Sequence, residues 1–591
     1  MSGNSQPGSS DGQRHGSAAG RPRGLDRVVF FIAAVVAVCF VAWGVLGTDS
    51  LGSVSTSILG WLIKNAGWAF LVAASGFVVF ALWLAFSRYG KIPLGKDGER
   101  PEFRTVSWVA MMFSAGMGIG LMFYGVSEPL SHFVEPPPGT VPGGTDEAME
   151  TAMATSLFHW TVHPWSIYAV VGLAIAYGTF RRGRKQLISS AFAPLFGRSV
   201  AEGPIGKLID VLAIFATLFG SAASLGLGAL QIGSGLQAGG WLSGNPGVGL
   251  LVAVIAVLTV AFVASAVSGV AKGIQWLSNI NMVLAAVLAV FIFVVGPTVF
   301  ILNLVPSAIG DYFREMGEMI SRSGASGGEA MEAWLSSWTI FYWAWWISWT
   351  PFGGMFIARI SRGRTIKQFV GGVILVPTVV SLFWFTILGG TAIDLQRGGT
   401  DLAGAANTEA QLFGVLDQFP LAAAAGVLVM VLVAIFFVSG ADAASMVMGT
   451  LSEKGSIEPR RPVVIFWGVA TGAVAAVMLL VGGGGATALT GLQNLTIIAA
   501  APFALVMVVL CVALAKDLRS DPLILREEQS AEIVEQAVIV GNAEFDGEFQ
   551  LHVTAVTENG GSTKTTVVRD GHLGGYEARE SAELAALGEG K

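Results

Sequence analysis

The chain has 591 residues, 53% of them hydrophobic and only 13% charged, with a mean hydropathy of +0.66 and a formal net charge of −6. Soluble proteins carry about 25% charged residues, so a chain this long lacks the polar surface that several soluble domains would need. The composition excludes a secreted disulfide scaffold, a disordered protein and a nucleic-acid binder, and it implies an integral membrane protein.

Residues 1–27 are polar and Gly/Ser-rich, and no apolar core leads to a cleavage site, so they read as a disordered tail and not as a removable signal peptide. A bilayer core about 30 Å thick needs roughly 20 apolar residues in a helix. Runs of that kind lie at 28–46, 66–86, 105–125, 150–179, 208–234 and 248–270, then at 276–304, 330–357, 367–390, 421–448, 462–481 and 494–515. They predict about twelve spans. Cys39 and Cys511 fall inside such runs and read as small buried hydrophobes, not as a disulfide or metal pair. Between the seventh and eighth spans, 306–324 is too polar to cross, yet Ile309, Tyr312, Phe313, Met316, Met319 and Ile320 recur at helical spacing. This predicts an amphipathic helix on the outer surface. From Asp521 onward 14 acidic residues face 5 basic ones. Within that tail, the alternation from Glu548 and the β-branched run to Val568 suggest a small hairpin.

Lysine and arginine mark the cytoplasmic side. With the amino terminus inside, 25 of the 34 basic residues fall on inner segments, 4 on outer ones (Lys64, Arg314, Arg322, Arg397) and 5 in the tail. Both termini are therefore expected in the cytoplasm.

Two spans carry helix-breaking sequence. The third contains Gly116, Gly118 and Gly120 at alternate positions, which suits either close helix packing or an unwound stretch whose bare backbone meets a ligand. The eighth contains Pro351 followed by Gly353 and Gly354, and it is expected to be interrupted there. The breaks are five spans apart, so spans 3–7 and 8–12 form a pair of inverted repeats, with a transporter's midplane site at the breaks. The expected organisation is a tail at 1–27, two leading helices at 28–104, five-helix repeats at 105–304 and 330–515, an outer amphipathic helix at 305–329 and an acidic cytoplasmic tail at 516–591.

Aromatic residues gather near those breaks: Trp160, Trp165 and Tyr168 in the fourth span, Trp343, Trp345, Trp346 and Trp349 in the eighth. Single aromatics are often interfacial anchors. A cluster at mid-span without a nearby carboxylate instead suits a cation that cannot donate hydrogen bonds, a quaternary ammonium. His159 and His163 have i, i+4 spacing, but no third ligand lies near in sequence, so hydrogen bonding is the expected role rather than metal binding. Glu128 and Asp442 are the acidic residues at or within spans. Glu128 is placed toward the outer rim, and Asp442 is open between a gate hydrogen bond and a structural cap.

Three motifs, Ala115-Gly-Met-Gly-Ile-Gly120, Phe158-His-Trp-Thr-Val-His-Pro-Trp165 and Phe341-Tyr-Trp-Ala-Trp-Trp-Ile-Ser-Trp349, make the chain resemble the betaine/choline/carnitine transporters. The resemblance covers roughly residues 28–520 and is nearest to the sodium-coupled glycine betaine carriers of actinobacteria. It implies an all-α fold on the amino-acid/sodium symporter scaffold, homotrimers in the plasma membrane, no cofactor beyond sodium as coupling ion, and no enzymatic activity. It also implies an aromatic prism of Trp160, Trp165, Tyr168 and Trp346 around the ammonium, with Trp345, Trp349, Phe123 and Phe341 lining or closing the path, beside the glycines 116, 118 and 120. One implied sodium site uses main-chain oxygens of Ser114 and Met117 with Phe436 and the Ser439 hydroxyl; the other uses Thr217, Ser221 and the ring of Phe352.

Two departures stand out. Family members with sodium coupling place two adjacent hydroxyls in the tenth span, whereas this chain has Ser439-Gly440. Osmosensing relatives end in a basic helix, and this tail is acidic, so tail-driven activation on anionic lipid is not implied. The expected function is sodium-coupled uptake of glycine betaine or a close analogue. Gly440 favours the alternative of a sodium-independent exchanger of carnitine-like betaines, which Thr217 and Ser221 oppose; choline, ectoine and dimethylsulfoniopropionate also suit an aromatic box, and the lack of an acidic residue in the glycine run disfavours choline. No nucleophile–base arrangement suggests an enzyme.

Overall fold

The computed structural model describes residues 24–551 except 117, 269–270, 406 and 484–486, with backbone alone at 113–116, 266–268 and 271–278. The first 23 residues and most of the expected tail hairpin lie outside the described residues, and 548–551 form no strand. The Asp26 carboxylate accepts from the Val28 and Val29 N–H groups and opens α1 (Arg27–Leu46), after which Gly47 turns the chain into α2 (Thr48–Phe86). The third apolar run is divided into α3 (Thr105–Gly116) and α4 (Ile119–Val134), with Gly118 extended between them. The fourth is divided at Thr161 into α5 (Asp146–Trp160) and α6 (Val162–Ala176). Single-turn helices α7 (Ala193–Phe196) and α8 (Arg198–Ala201) precede α9 (Pro204–Ala238), α10 (Val248–Ser268) and α11 (Ala271–Val295).

The chain then bends by 110° into α12 (Thr298–Ser321). The second half comprises α13 (Gly324–Ser337), α14 (Thr339–Ile360), α15 (Ile366–Arg397), α16 (Ala410–Leu416), α17 (Ala422–Ser452), α18 (Arg461–Val481) and α19 (Ala488–Arg519). Among the described residues, 8 helices are long and apolar enough to cross a membrane singly, or 9 if the bent α11–α12 pair is one span. The remaining expected spans fall on α3/α4, α5/α6 and α14. Among the described residues the chain is all-helical, and its helices account for the twelve expected spans. After Asp517 the chain forms a separate compact unit. It contains α20 (Pro522–Phe545), which is capped by Asp521 and exposes Glu527, Glu528, Glu532 and Glu535.

Burial identifies the centre. Every residue of α6 from His163 to Ala176 is buried, whereas the apolar windows of α1 and α10 are only 28% and 17% buried and present their surface to lipid. Cys39 belongs to that outer surface and is exposed, contrary to the burial expected for it, because α1 has protein on one side only. On α12 the apolar residues divide: Tyr312 and Met319 are buried, Ile309, Phe313 and Ile320 exposed.

The expected interruption of the eighth span does not occur. α14 runs unbroken through Pro351. Proline deprives the Ile347 carbonyl of its helical donor, and the Thr350 hydroxyl supplies one instead at 2.7 Å. At the end of the bundle bearing Arg359–Arg364, Arg362 donates to Glu99 at 2.7 Å, Gly363 N–H to the Leu94 carbonyl at 2.9 Å, and Arg364 lies 4.0 Å over the Trp108 ring. The loop before α3 is thereby tied to the end of α14.

Candidate functional site

The break at Thr161 and the unbroken α14 bring together the four residues expected to form the prism. Trp160 and Trp346 meet edge-to-face at 4.9 Å between centroids, Tyr168 lies 6.2 Å from Trp346, and Trp165 lies 5.2 Å from Tyr168. Most of the indole edges are tied off. Trp346 Nε1 donates to the His159 carbonyl at 3.1 Å and Trp349 Nε1 to the Gly220 carbonyl at 2.9 Å. Trp345 Nε1 donates to Ser224 Oγ at 3.2 Å and to Gly220 O at 3.3 Å. Hydrogen bonds at the edges fix the rings and leave π faces as the remaining chemistry, the part of an indole that attracts a cation.

Behind Trp160 lies Glu128, expected at the outer rim but completely buried. Its Oε2 accepts from Trp160 Nε1 at 2.6 Å and from the Tyr342 hydroxyl at 2.5 Å, while Oε1 meets His159 Nδ1 at 2.6 Å. With Nδ1–H donating, His159 Nε2 accepts from the Thr339 hydroxyl at 2.9 Å. Three donors on one carboxyl stitch α4, α5 and α14 together. Phe123 and Phe341 are 1% exposed, and Phe341 stacks on Trp345 at 5.5 Å, so both belong to this closed half and not to an open path. Tyr342 and Thr339 are functional neighbours that sequence reasoning missed; the signal available was the cost of a carboxyl inside a span.

Below the prism the packing opens into a cavity of about 230 Å³. Its walls include Gly118 and Ile119, Trp165 and Tyr168, Ser221, Trp349 and Phe352, Asn281, and Phe436, Ser439 and Gly440. It continues past Phe356 and Ile357, toward the arginine-rich end of α14. No charged side chain among the described residues lines it. Trp160, Trp346 and Trp345 stand behind this wall, 5%, 9% and 2% exposed.

The glycine run serves two purposes. A Cβ on Gly120 would come within 2.7 Å of Trp345 and 2.8 Å of Trp160, so this glycine permits the indoles to pack. A Cβ on Gly118 would meet nothing within 4 Å; that position faces open space where α4 begins. Gly116 ends α3.

Of the residues expected around sodium, Ser221, Phe352, Phe436 and Ser439 share the cavity. Thr217 sits one turn from Ser221 on α9, buried, its hydroxyl donating to the Ala213 carbonyl at 2.8 Å. Ser439 donates to the Ile435 carbonyl at 2.8 Å and, among the described residues, accepts no hydrogen bond. The Ser114 side chain and Met117 lie outside the described residues. Asp442 is half-buried on α17 and, among the described residues, makes no side-chain hydrogen bond.

Among the described residues, the one grouping with metal-ligand character is Glu128, His132 and His159, whose ligand-type atoms lie within 4.8 Å of one another. Glu128 is already engaged by Trp160, Tyr342 and His159, and both nitrogens of His159 are used, so hydrogen bonding accounts for most of this cluster. His163 stands apart from it, stacked on Trp343 at 5.2 Å.

A multi-pass bundle with two interrupted spans beside an aromatic-walled cavity suits a membrane transporter. The model for the betaine/carnitine/choline family of transporters matches residues 28–523. The chain belongs to that family. It is 45% identical to the betaine/ectoine transporter LcoP of Corynebacterium glutamicum, over 95% of this chain and 88% of the relative. It is 46% identical to the glycine betaine transporter OpuD of Bacillus subtilis, over 83% and 94% of the two chains. With the ectoine/hydroxyectoine transporter of Virgibacillus pantothenticus it shares 38% identity over 82% and 95%. The protein is accordingly a plasma-membrane transporter and not an enzyme.

Proposed function

We propose that the protein imports glycine betaine, or a related zwitterionic compatible solute such as ectoine, coupled to sodium. The observation that carries the solute class is the aromatic wall of Trp165 and Tyr168 in a cavity without a charged side chain, backed by Trp160 and Trp346 with their N–H groups already engaged. A primary amine would need acceptors there; a trimethylammonium group needs only π faces. The extended backbone at Gly118 and the free N–H groups opening α4 suit the solute's carboxylate. Relatives that carry betaine and ectoine support this class.

Sodium coupling rests on Thr217, Ser221 and Phe352 for one ion, and on Ser439 with the Phe436 carbonyl, joined by the carbonyls of Ser114 and Met117, for a second. Because the cavity leads toward the arginine-rich end, which we assign to the cytoplasm together with both termini, the conformation described is inward-facing. The functional unit is a homotrimer. Uptake of labelled glycine betaine into proteoliposomes, with sodium or potassium outside, tests the proposal. Uptake should require sodium; equal uptake in potassium would replace it with the exchanger that Gly440 favours, and uptake of neither glycine betaine nor ectoine would remove the solute assignment.

A further inference from the structure

Asn281 lies on α11 with 1% of its surface exposed, and among the described residues neither its Oδ1 nor its Nδ2 has a hydrogen-bond partner. A carboxamide offers two acceptor lone pairs and two donor hydrogens. Buried polar groups are nearly always bonded, and one without a partner among the described residues of a membrane span points to a ligand. The Asn281 side chain forms part of the cavity wall, together with Ser439 and Gly440, and α11 packs along α17. Gly440 is the position from which a hydroxyl is missing, and a Cβ placed on it meets nothing within 4 Å. The wall is free of charged side chains among the described residues, so a hard cation held there depends on neutral oxygens.

Resting on the sodium-coupled reading above, we infer that Asn281 is a sodium ligand: its Oδ1 supplies, from α11, the oxygen that Gly440 withholds on α17. Ser439 Oγ and Asn281 Oδ1 then face the ion from two different helices. The amide nitrogen is left to donate to water or to the solute. A ligand contributed by α11 also makes ion binding report on the distance between α11 and α17.

The test uses the full-length chain, purified in detergent and reconstituted. Two quantities are read: the rise in unfolding temperature caused by sodium over potassium without solute, and the half-saturating sodium concentration for betaine uptake. Removing one oxygen ligand in Asn281→Ala should raise half-saturating sodium about tenfold and flatten the thermal response, while the betaine KM at saturating sodium stays within about twofold. Adding Gly440→Ser to that variant should recover part of the loss, since the position has room for a hydroxyl. Asn281→Asp, which keeps the oxygen and adds charge, should lower half-saturating sodium, and it serves in place of Asn281→Ala should the latter not fold. Unchanged sodium dependence in both variants overturns the inference. So does a shift confined to the betaine KM, which would assign the amide to the solute. A lack of sodium response in the unmodified protein would instead overturn the coupling itself.

Discussion

The two halves of the site differ in what fills them. On one side of Trp346 the space is occupied by Phe123, Phe341, Tyr342 and Trp345, pinned through Glu128, His159 and Thr339. On the other it is bounded by Ser221, Gly118, Ser439 and Gly440 and remains open. Large rings anchored by buried hydrogen bonds close a path with few rearrangements available. Small residues leave a path that ions and solute can traverse, and only modest movement is needed to close it. On the inward-facing reading proposed above, alternating access requires the pinned half to loosen, and the Glu128 cluster is what must yield for outward opening.

The largest expected effect comes from breaking the pinned half. Glu128→Ala leaves the Trp160 indole, the Tyr342 hydroxyl and His159 without their acceptor, at a cost of about 3–5 kcal/mol. Thermal unfolding in detergent should show the loss, and betaine binding should fall with it; Glu128→Gln, which retains one acceptor oxygen, should recover part of both. An alanine variant as stable as the parent would show that the cluster does not hold the closed half.

Next in size are the rings at the boundary. Trp346→Ala and Trp165→Ala should each weaken betaine binding by about 2 kcal/mol, roughly thirtyfold, with phenylalanine losing less. Titrations that show no loss in either alanine variant would remove the prism assignment. A third comparison separates two neighbouring glycines. Gly120→Ala forces a methyl against Trp345 and Trp160 and should destabilise by about 1–3 kcal/mol. Gly118→Val has room to fold but should abolish transport, because the branched side chain would occupy the cavity and cover the backbone at the start of α4. A Gly118→Val protein that transports normally would return the whole run to packing.

A pH effect is expected from the loop before α16, where burial pushes the Glu409 carboxyl up to about 7. A carboxyl whose folded pKa lies above its unfolded value favours the folded state least when ionised. Stability should therefore fall as pH rises from about 4.5 through 7 and then level off. Glu409→Gln should remove that decline, by at most on the order of 3 kcal/mol between pH 5 and 8, as read from unfolding temperatures. The smallest effect is expected at Pro351. Since Thr350 already satisfies the Ile347 carbonyl, Pro351→Ala should change stability by less than about 1 kcal/mol and leave betaine affinity intact; loss of transport would show that the proline acts in motion and not in the resting helix.

Pro351 shows why the site was only partly legible. Proline and two glycines carry the local signature of a break, but a neighbouring hydroxyl cancelled it, and whether a side chain reaches a given carbonyl depends on its rotamer within packed surroundings. The real interruption at Thr161 lies one residue after Trp160, whose carbonyl is the helical acceptor that Pro164 cannot serve; the same residue type breaks one span and is absorbed in the other, so the proline alone does not tell the two apart. Glu128 could be recognised as costly in a span, yet its partner Tyr342 lies 214 residues away, and Thr339, which completes the cluster through His159, lies 180 residues from that histidine, so only tertiary assembly brings them together.

Hydropathy, the placement of lysine and arginine, and the glycine and tryptophan motifs determined the span pattern, the all-helical class and the aromatic nature of the site, because each is set by how individual residues partition between water, lipid and helix. Which half of the site is closed, which glycine packs and which faces the cavity, and where Asn281 points were decided only by tertiary structure. Those properties depend on what lies opposite a residue across the bundle, and no local preference encodes a neighbour supplied by another repeat.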